Sequence, residues 1–180
     1  MKSLYQFIVK PFKERYDNIK KLNDKELIVN TCIENHIFVS KKAVVVSTPT
    51  AFKSNIKEGD IVYVHHNIFR RWYNIRGEEK DSSNYFVDDM YFANISQIYM
   101  YNNKCNLNYC FVKPIKDDSK WSVLKEKKLF GELVYSNRYL NSLGLSIGDV
   151  VGFTPDSEYE FNVDNKKLYR VLSNQVTIKY

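Results

Sequence analysis

Apolar residues in this chain fall in short runs: Tyr5 to Pro11, Ile37-Phe38-Val39, Ala43 to Val46, Ile61 to Val64, Tyr91-Phe92 and Ile98 to Tyr101. The second half continues the pattern with Phe111 to Ile115, Gly131 to Tyr135, Val150 to Phe153, Tyr159 to Val163, Leu168 to Val171 and Val176 to Ile178. Apolar positions do not recur at helical spacing, and turn residues separate the runs, so each run predicts a strand. Tyr159 to Val163 alternates polar and apolar. Most other runs are apolar on both parities, which predicts strands covered on both faces, as in a small barrel. Lys13 to Glu26 and Lys116 to Lys128 are charged and read as long exposed loops. The cluster Leu27-Ile28-Val29 follows the first loop.

The order of these elements is written twice. Phe7-Ile8-Val9-Lys10-Pro11-Phe12 returns as Cys110-Phe111-Val112-Lys113-Pro114-Ile115. Ile56-Lys57-Glu58-Gly59-Asp60-Ile61-Val62 returns as Leu145-Ser146-Ile147-Gly148-Asp149-Val150-Val151. Met90-Tyr91 with Gln97-Ile98 returns as Leu168-Tyr169 with Gln175-Val176. An ordered internal repeat predicts two copies of one architecture, over residues 1–103 and 104–180, joined at Asn102-Asn103-Lys104. Gly59 and Gly148 are expected at positive φ in a turn, with Asp60 and Asp149 bonding local backbone. Residues 65–90 are the largest departure between the copies and read as an insertion in the first.

Composition narrows the function. The chain has 180 residues, 44% of them hydrophobic and 15% aromatic, enough for packed cores and rich in strand formers. The net charge of +6 is scattered among Asp and Glu, as on an ordinary solvated surface. Three cysteines, Cys32, Cys105 and Cys110, are odd in number and lack metal-ligand spacing. Reduced thiols, a cytoplasmic setting and no metal are expected. The amino terminus lacks a signal-peptide core, and no apolar stretch is long enough to span a membrane. No nucleophile–base order, P-loop or dinucleotide fingerprint is present, so neither catalysis nor a cofactor is expected.

The ordered set Ile8-Val9-Lys10-Pro11, Phe111-Val112-Lys113-Pro114, Gly131-Glu132-Leu133-Val134, Lys57-Glu58-Gly59-Asp60-Ile61-Val62 and Ile147-Gly148-Asp149-Val150-Val151 resembles the GroES-like co-chaperonin family. The Lys-, Asn- and Tyr-rich chain is similar to tandem two-domain co-chaperonins encoded by tailed phages. The resemblance implies an all-β chain of two tandem GroES-like small barrels that forms a homo-oligomer and caps or modulates a chaperonin, without chemistry of its own. It also implies a docking tripeptide on the loop after the first strand. Leu27, Ile28 and Val29 stand in that position, and Trp121, Val123 and Leu124 in the second copy. From the residues alone, Glu26 to Thr31 is good β-sequence, and Leu27 to Val29 reads first as a strand or core segment. The stretches 48–57 and 137–147 are too short for the family's roof hairpin, and neither loop has the usual glycine richness.

The segment His65-His66-Asn67-Ile68-Phe69-Arg70-Arg71-Trp72-Tyr73 is the most unusual. Adjacent histidines on a strand point to opposite faces and do not share one ion. Arg70, Arg71, Trp72 and Arg76 fit an assembly interface, where Arg, Trp and Tyr are enriched. A virion structural or capsid decoration protein that reuses the barrel is therefore the alternative function, with other virion proteins as partners. A nucleic-acid-binding barrel using the same arginines and stacking aromatics is the weaker alternative.

Overall fold

The computed structural model describes residues 2–22, 25–106, 108–117 and 126–180, with backbone alone for 20–22. The chain is all-β and divides into two compact units, Met1–Asn102 and Asn103–Tyr180.

The first unit contains β1 (Phe7–Pro11), β2 (Ile19–Leu22), β3 (Lys25–Ile28), β4 (Lys42–Ser47) and β5 (Ile61–Val64). It continues with β6 (Trp72–Tyr73), β7 (Glu79–Lys80), β8 (Tyr85–Val87), β9 (Met90–Ala93) and β10 (Ile98–Tyr101). Its main sheet is antiparallel, in the order β10-β5-β4-β1-β9-β8. In β4, alternate residues Ala43, Val45 and Ser47 are buried. Ala43 and Val45 join Phe7, Val9, Val62, Val64, Phe69, Tyr91 and Ile98 in one core.

A two-residue strand, β11 (Lys104–Cys105), precedes the sheet of the second unit. That sheet is built from β12 (Tyr109–Lys116), β13 (Glu126–Tyr135), β14 (Val150–Phe153), β15 (Tyr159–Val163), β16 (Lys166–Leu172) and β17 (Val176–Lys179). Its order, β17-β14-β13-β12-β16-β15, reproduces that of the first sheet strand for strand.

The register repeats as well as the order. Val9 lies opposite Val45 and Tyr91; Val112 lies opposite Leu133 and Tyr169. Val62 faces Ala43 and Tyr101; Val151 faces Gly131 and Lys179. Both entry strands carry an irregularity at the same place, Ile8/Val9 and Phe111/Val112. The turn before β5 and the turn before β14 are also built alike. Gly59 and Gly148 take φ of 84° and 93°, and each donates its N–H, at 2.8 Å, to the facing strand at Val45 and Leu133. This positive φ is the region glycine enters without a Cβ clash.

Four expectations need correction. No ladder joins β8 to β10, or β15 to β17, among the described residues, so neither sheet is closed into a barrel. Closure needs outer strands long enough to tilt and stagger, whereas β8 has three residues, all exposed. The loop from Lys13 to Glu26 contains most of a hairpin, β2 paired with β3. Ile37-Phe38-Val39 is not a strand; Val39 makes only an isolated bridge to Tyr16. Lastly, a short helix, α1 (Arg138–Ser142), precedes β14. Asn137 caps it, accepting from the Leu140 N–H at 3.0 Å while its amide donates to the Tyr109 carbonyl and Ser173 Oγ, both at 2.7 Å. A buried amide with these partners holds the turn without periodicity in the sequence.

Candidate interaction site

Leu27 and Ile28 lie on β3, paired with Lys20 and Ile19 across the hairpin. Val29 follows, its N–H donating to the Asn18 carbonyl at 2.9 Å. The Asn18 amide in turn donates to the Asn30 carbonyl at 3.1 Å, which closes the hairpin base. The three side chains are 50%, 66% and 42% exposed. Ile19 and Ile37 are exposed as well. The tripeptide is therefore a strand but not a core strand. Among the described residues β2 and β3 form a two-stranded sheet with no third strand on either outer edge. Such a hairpin is marginal alone, and its ties at Asn18 and Asn30 supply part of what holds it. Trp121, Val123 and Leu124 lie outside the described residues.

Two side chains that no local sequence pattern singles out, Arg15 and Tyr16, fasten residues 65–90 to the rest of the first unit. Arg15 donates from Nε to the Phe69 carbonyl and from Nη1 to Asp81, each at 2.5 Å. Its guanidinium also lies 5.2 Å from the Tyr91 ring centroid. Tyr16 accepts the Arg71 N–H and donates to the Ile33 carbonyl, both at 2.7 Å. Arg71 stacks over the Tyr16 ring at 4.9 Å and pairs with Glu79 at 2.5 Å. The Trp72 indole N–H donates to the Asp81 carbonyl at 3.2 Å, and half the ring remains exposed.

The four residues singled out in this segment thus have different roles. Arg71 is held in an ion pair within the insertion, and Trp72 bridges to the returning chain. Arg70 is half-buried, and Arg76 is exposed in the turn between β6 and β7. This divides the basic surface expected of a nucleic-acid contact. Ile75, in the same turn, is fully exposed. An apolar residue in the turn sequence Asn74-Ile75-Arg76-Gly77 was the available signal for it.

All three histidines of the chain meet in one stack. The His65 and His66 ring centroids are 4.4 Å apart, and those of His36 and His66 are 5.0 Å apart. The strand expectation for His65-His66 fails because His65 caps a 3-10 turn that begins at His66, so the rings lie side by side. The Asn67 N–H donates to His65 Nδ1 at 3.0 Å, which leaves the proton on Nε2. Burial, then His65, His36, Lys41 and Arg70, bring the His66 pKa down to about 3. Among the described residues, no group of three or more His, Cys, Asp or Glu is placed to hold a metal ion.

The cysteines are free thiols, with Cys105 and Cys110 buried. Burial pushes the Cys110 pKa up to about 12 and raises that of Cys105 well above its ordinary value. Such thiols are poor nucleophiles. No helix among the described residues is long and apolar enough to cross a membrane. The chain matches no protein-family model, and no curated protein sequence matches it.

Proposed function

We propose that this chain is a non-catalytic docking protein of the co-chaperonin type, which assembles with a chaperonin and caps or modulates it through the β2–β3 hairpin. The observation that carries the reading is the exposure of Leu27, Ile28 and Val29 on a hairpin outside the main sheet. The hairpin interrupts the connection from β1 to β4, where the resembled family carries its docking loop. In this reading each unit is a GroES-like β-domain, the protein is of the phage-encoded tandem kind, and it works in the host cytoplasm as a homo-oligomer. ATP hydrolysis belongs to the chaperonin.

The energetics favour a repeated contact. Full burial of three aliphatic side chains contributes about 1.5–3 kcal/mol each. A hairpin that is already paired loses less conformational freedom on binding than a disordered loop. One such contact is weak, and several presented by one assembly become strong through avidity. Native mass spectrometry of the protein alone, and mixed with chaperonin and nucleotide, tests the proposal. A complex that forms only in the nucleotide-bound state supports it; absence of a complex with every nucleotide overturns it.

The fastened insertion favours a second reading, a virion structural or decoration protein. Arg15 and Tyr16 hold residues 65–90 as an ordered projection, and Arg, Trp and Tyr at its surface suit an assembly interface. Binding to purified capsids, without binding to chaperonin, is the result that would select it.

A further inference from the structure

The two arms of the β2–β3 hairpin are unequal. At its stem the Asp17 N–H donates to the Phe38 carbonyl at 2.8 Å and the Ser40 N–H to the Arg15 carbonyl at 3.0 Å, with Tyr16 bridged to Val39. The next rung up is the Val29 N–H on the Asn18 carbonyl at 2.9 Å. The outgoing arm passes directly from Asp17 to Asn18, whereas the return arm makes the excursion 30–37 between the same two rungs. The excursion carries its own turn: Asn30 Oδ1 accepts the Cys32 N–H at 3.1 Å, and the Asn35 N–H donates to the Cys32 carbonyl at 3.2 Å.

The excursion meets the insertion of residues 65–90 at three points. Glu34 Oε1 accepts the Tyr73 N–H at 3.2 Å. The Ile33 carbonyl accepts from the Tyr16 hydroxyl, which in turn accepts the Arg71 N–H, both at 2.7 Å. The His36 ring lies against His66 with centroids 5.0 Å apart. The insertion is itself held by the first unit, since Ile68 and Phe69 are buried in its core and Arg15 binds Phe69 and Asp81. A two-stranded hairpin is marginal alone, and the stem at residues 15–18 gives it one attachment. The three contacts give it a second, on a body that the core fixes.

We infer that the insertion is the positioning element of the hairpin: through Ile33, Glu34 and His36 it fixes the direction in which Leu27, Ile28 and Val29 are presented. Tyr16, Glu34, His36 and His66 are then positioning residues, and none of them belongs to the exposed tripeptide. A strand already held in place loses less conformational freedom on docking than one that swings about its stem. The coupling is reciprocal, so loosening the insertion frees the hairpin, and covering the hairpin quiets the insertion. The purpose of this hold rests on the docking reading; its mechanism needs only contacts within the first unit.

Amide hydrogen exchange, read residue by residue by NMR, tests the coupling at Val29, which none of the substituted residues touches. Glu34→Ala removes the acceptor for the Tyr73 N–H, and His66→Ala removes the ring under His36. Each should speed exchange at Val29 by about tenfold or more, while the β1–β4 ladder keeps its wild-type protection. Glu34→Gln keeps an acceptor and His66→Phe keeps a ring, so both should stay near the wild-type rate. Glu34 is only half-buried, so its two variants decide the matter even where His66→Ala lowers overall stability. Wild-type exchange at Val29 in Glu34→Ala overturns the coupling, as does Glu34→Gln exchanging as fast as Glu34→Ala. In a parallel binding measurement with chaperonin and nucleotide, Glu34→Ala should bind more weakly than Glu34→Gln. Failure of the wild type to bind counts against the chaperonin reading and leaves the exchange result to decide the coupling.

Discussion

Asp60 and Asp149 make the same hydrogen bond in two different sheets. Asp60 accepts the Lys57 N–H at 2.7 Å, and Asp149 accepts the Ser146 N–H at 2.8 Å, each closing a turn three residues back. Each carboxyl is held below its ordinary pKa, Asp60 chiefly by the Asn102 side chain and then by the Lys57 N–H, and Asp149 chiefly by Lys179 and then by the Ser146 N–H. Ala at either position should lower the melting temperature by a few degrees, whereas Asn, which keeps an acceptor, should lower it less. Differential scanning calorimetry on the four variants checks this.

At one register position the two units differ by a single methyl group, and the difference is set by packing. Ala43 lies between Pro11 and Val62 in the first sheet, and Gly131 lies between Pro114 and Val151 in the second. A Cβ on Gly131 would sit 2.9 Å from Cβ and Cγ2 of Val112. Gly131→Ala is therefore expected to destabilise by about 1–3 kcal/mol through overpacking. Ala43→Gly should cost about 0.5–1 kcal/mol of backbone entropy. Urea denaturation measures both; a neutral Gly131→Ala would contradict the packing.

Arg15 is expected to control the order of the insertion. Its side chain is largely buried and joins Phe69, Asp81 and the Tyr91 ring. Arg15→Ala removes charge-assisted hydrogen bonds and should cost about 1–3 kcal/mol. Hydrogen exchange should rise first in residues 69–91, while the β12–β13 ladder keeps its protection.

The histidine stack predicts acid sensitivity of known sign. The His66 pKa falls from 6.5 to about 3 on folding, so the unfolded chain binds a proton that the folded chain refuses. Stability from neutral His66 is thus full above about pH 6.5 and is lost as pH falls toward 3. Lys41 and Arg70 add positive charge around the ring, and they and the neighbouring His65 and His36 act in the same direction as burial. His66→Phe keeps an aromatic ring in the stack and should flatten stability between pH 6.5 and 4. A variant with the wild-type slope would contradict this assignment.

The sequence made local chemistry legible and left long-range chemistry hidden. Gly59-Asp60 and Gly148-Asp149 could be read because a turn before an apolar strand needs these residue types within a few positions. The alternation in Tyr159 to Val163 marked β15 for the same reason. The hold of Arg15 on Asp81 joins residues 66 positions apart, and no local pattern encodes it. Ile19 was hidden in a lysine-rich stretch, so its pairing with Ile28 was not visible. Helix α1 is five residues long, too short to show a period, and depends on the buried Asn137. Whether a sheet closes depends on its outermost strands, and β8 is among the shortest. For Leu27 to Val29, strand and exposed segment were read as alternatives, and the hairpin is both.

Because Ile28 is exposed, it separates docking from folding more directly than any other residue. The decisive measurement compares wild type and Ile28→Asp for nucleotide-dependent binding to a chaperonin ring, with thermal melting run in parallel. Aspartate on an exposed strand face buries no charge, so the melting temperature should stay within a few degrees. The co-chaperonin account predicts that wild type binds and Ile28→Asp does not, at equal stability. Equal binding by the two proteins, or no binding by wild type in any nucleotide state, would contradict it.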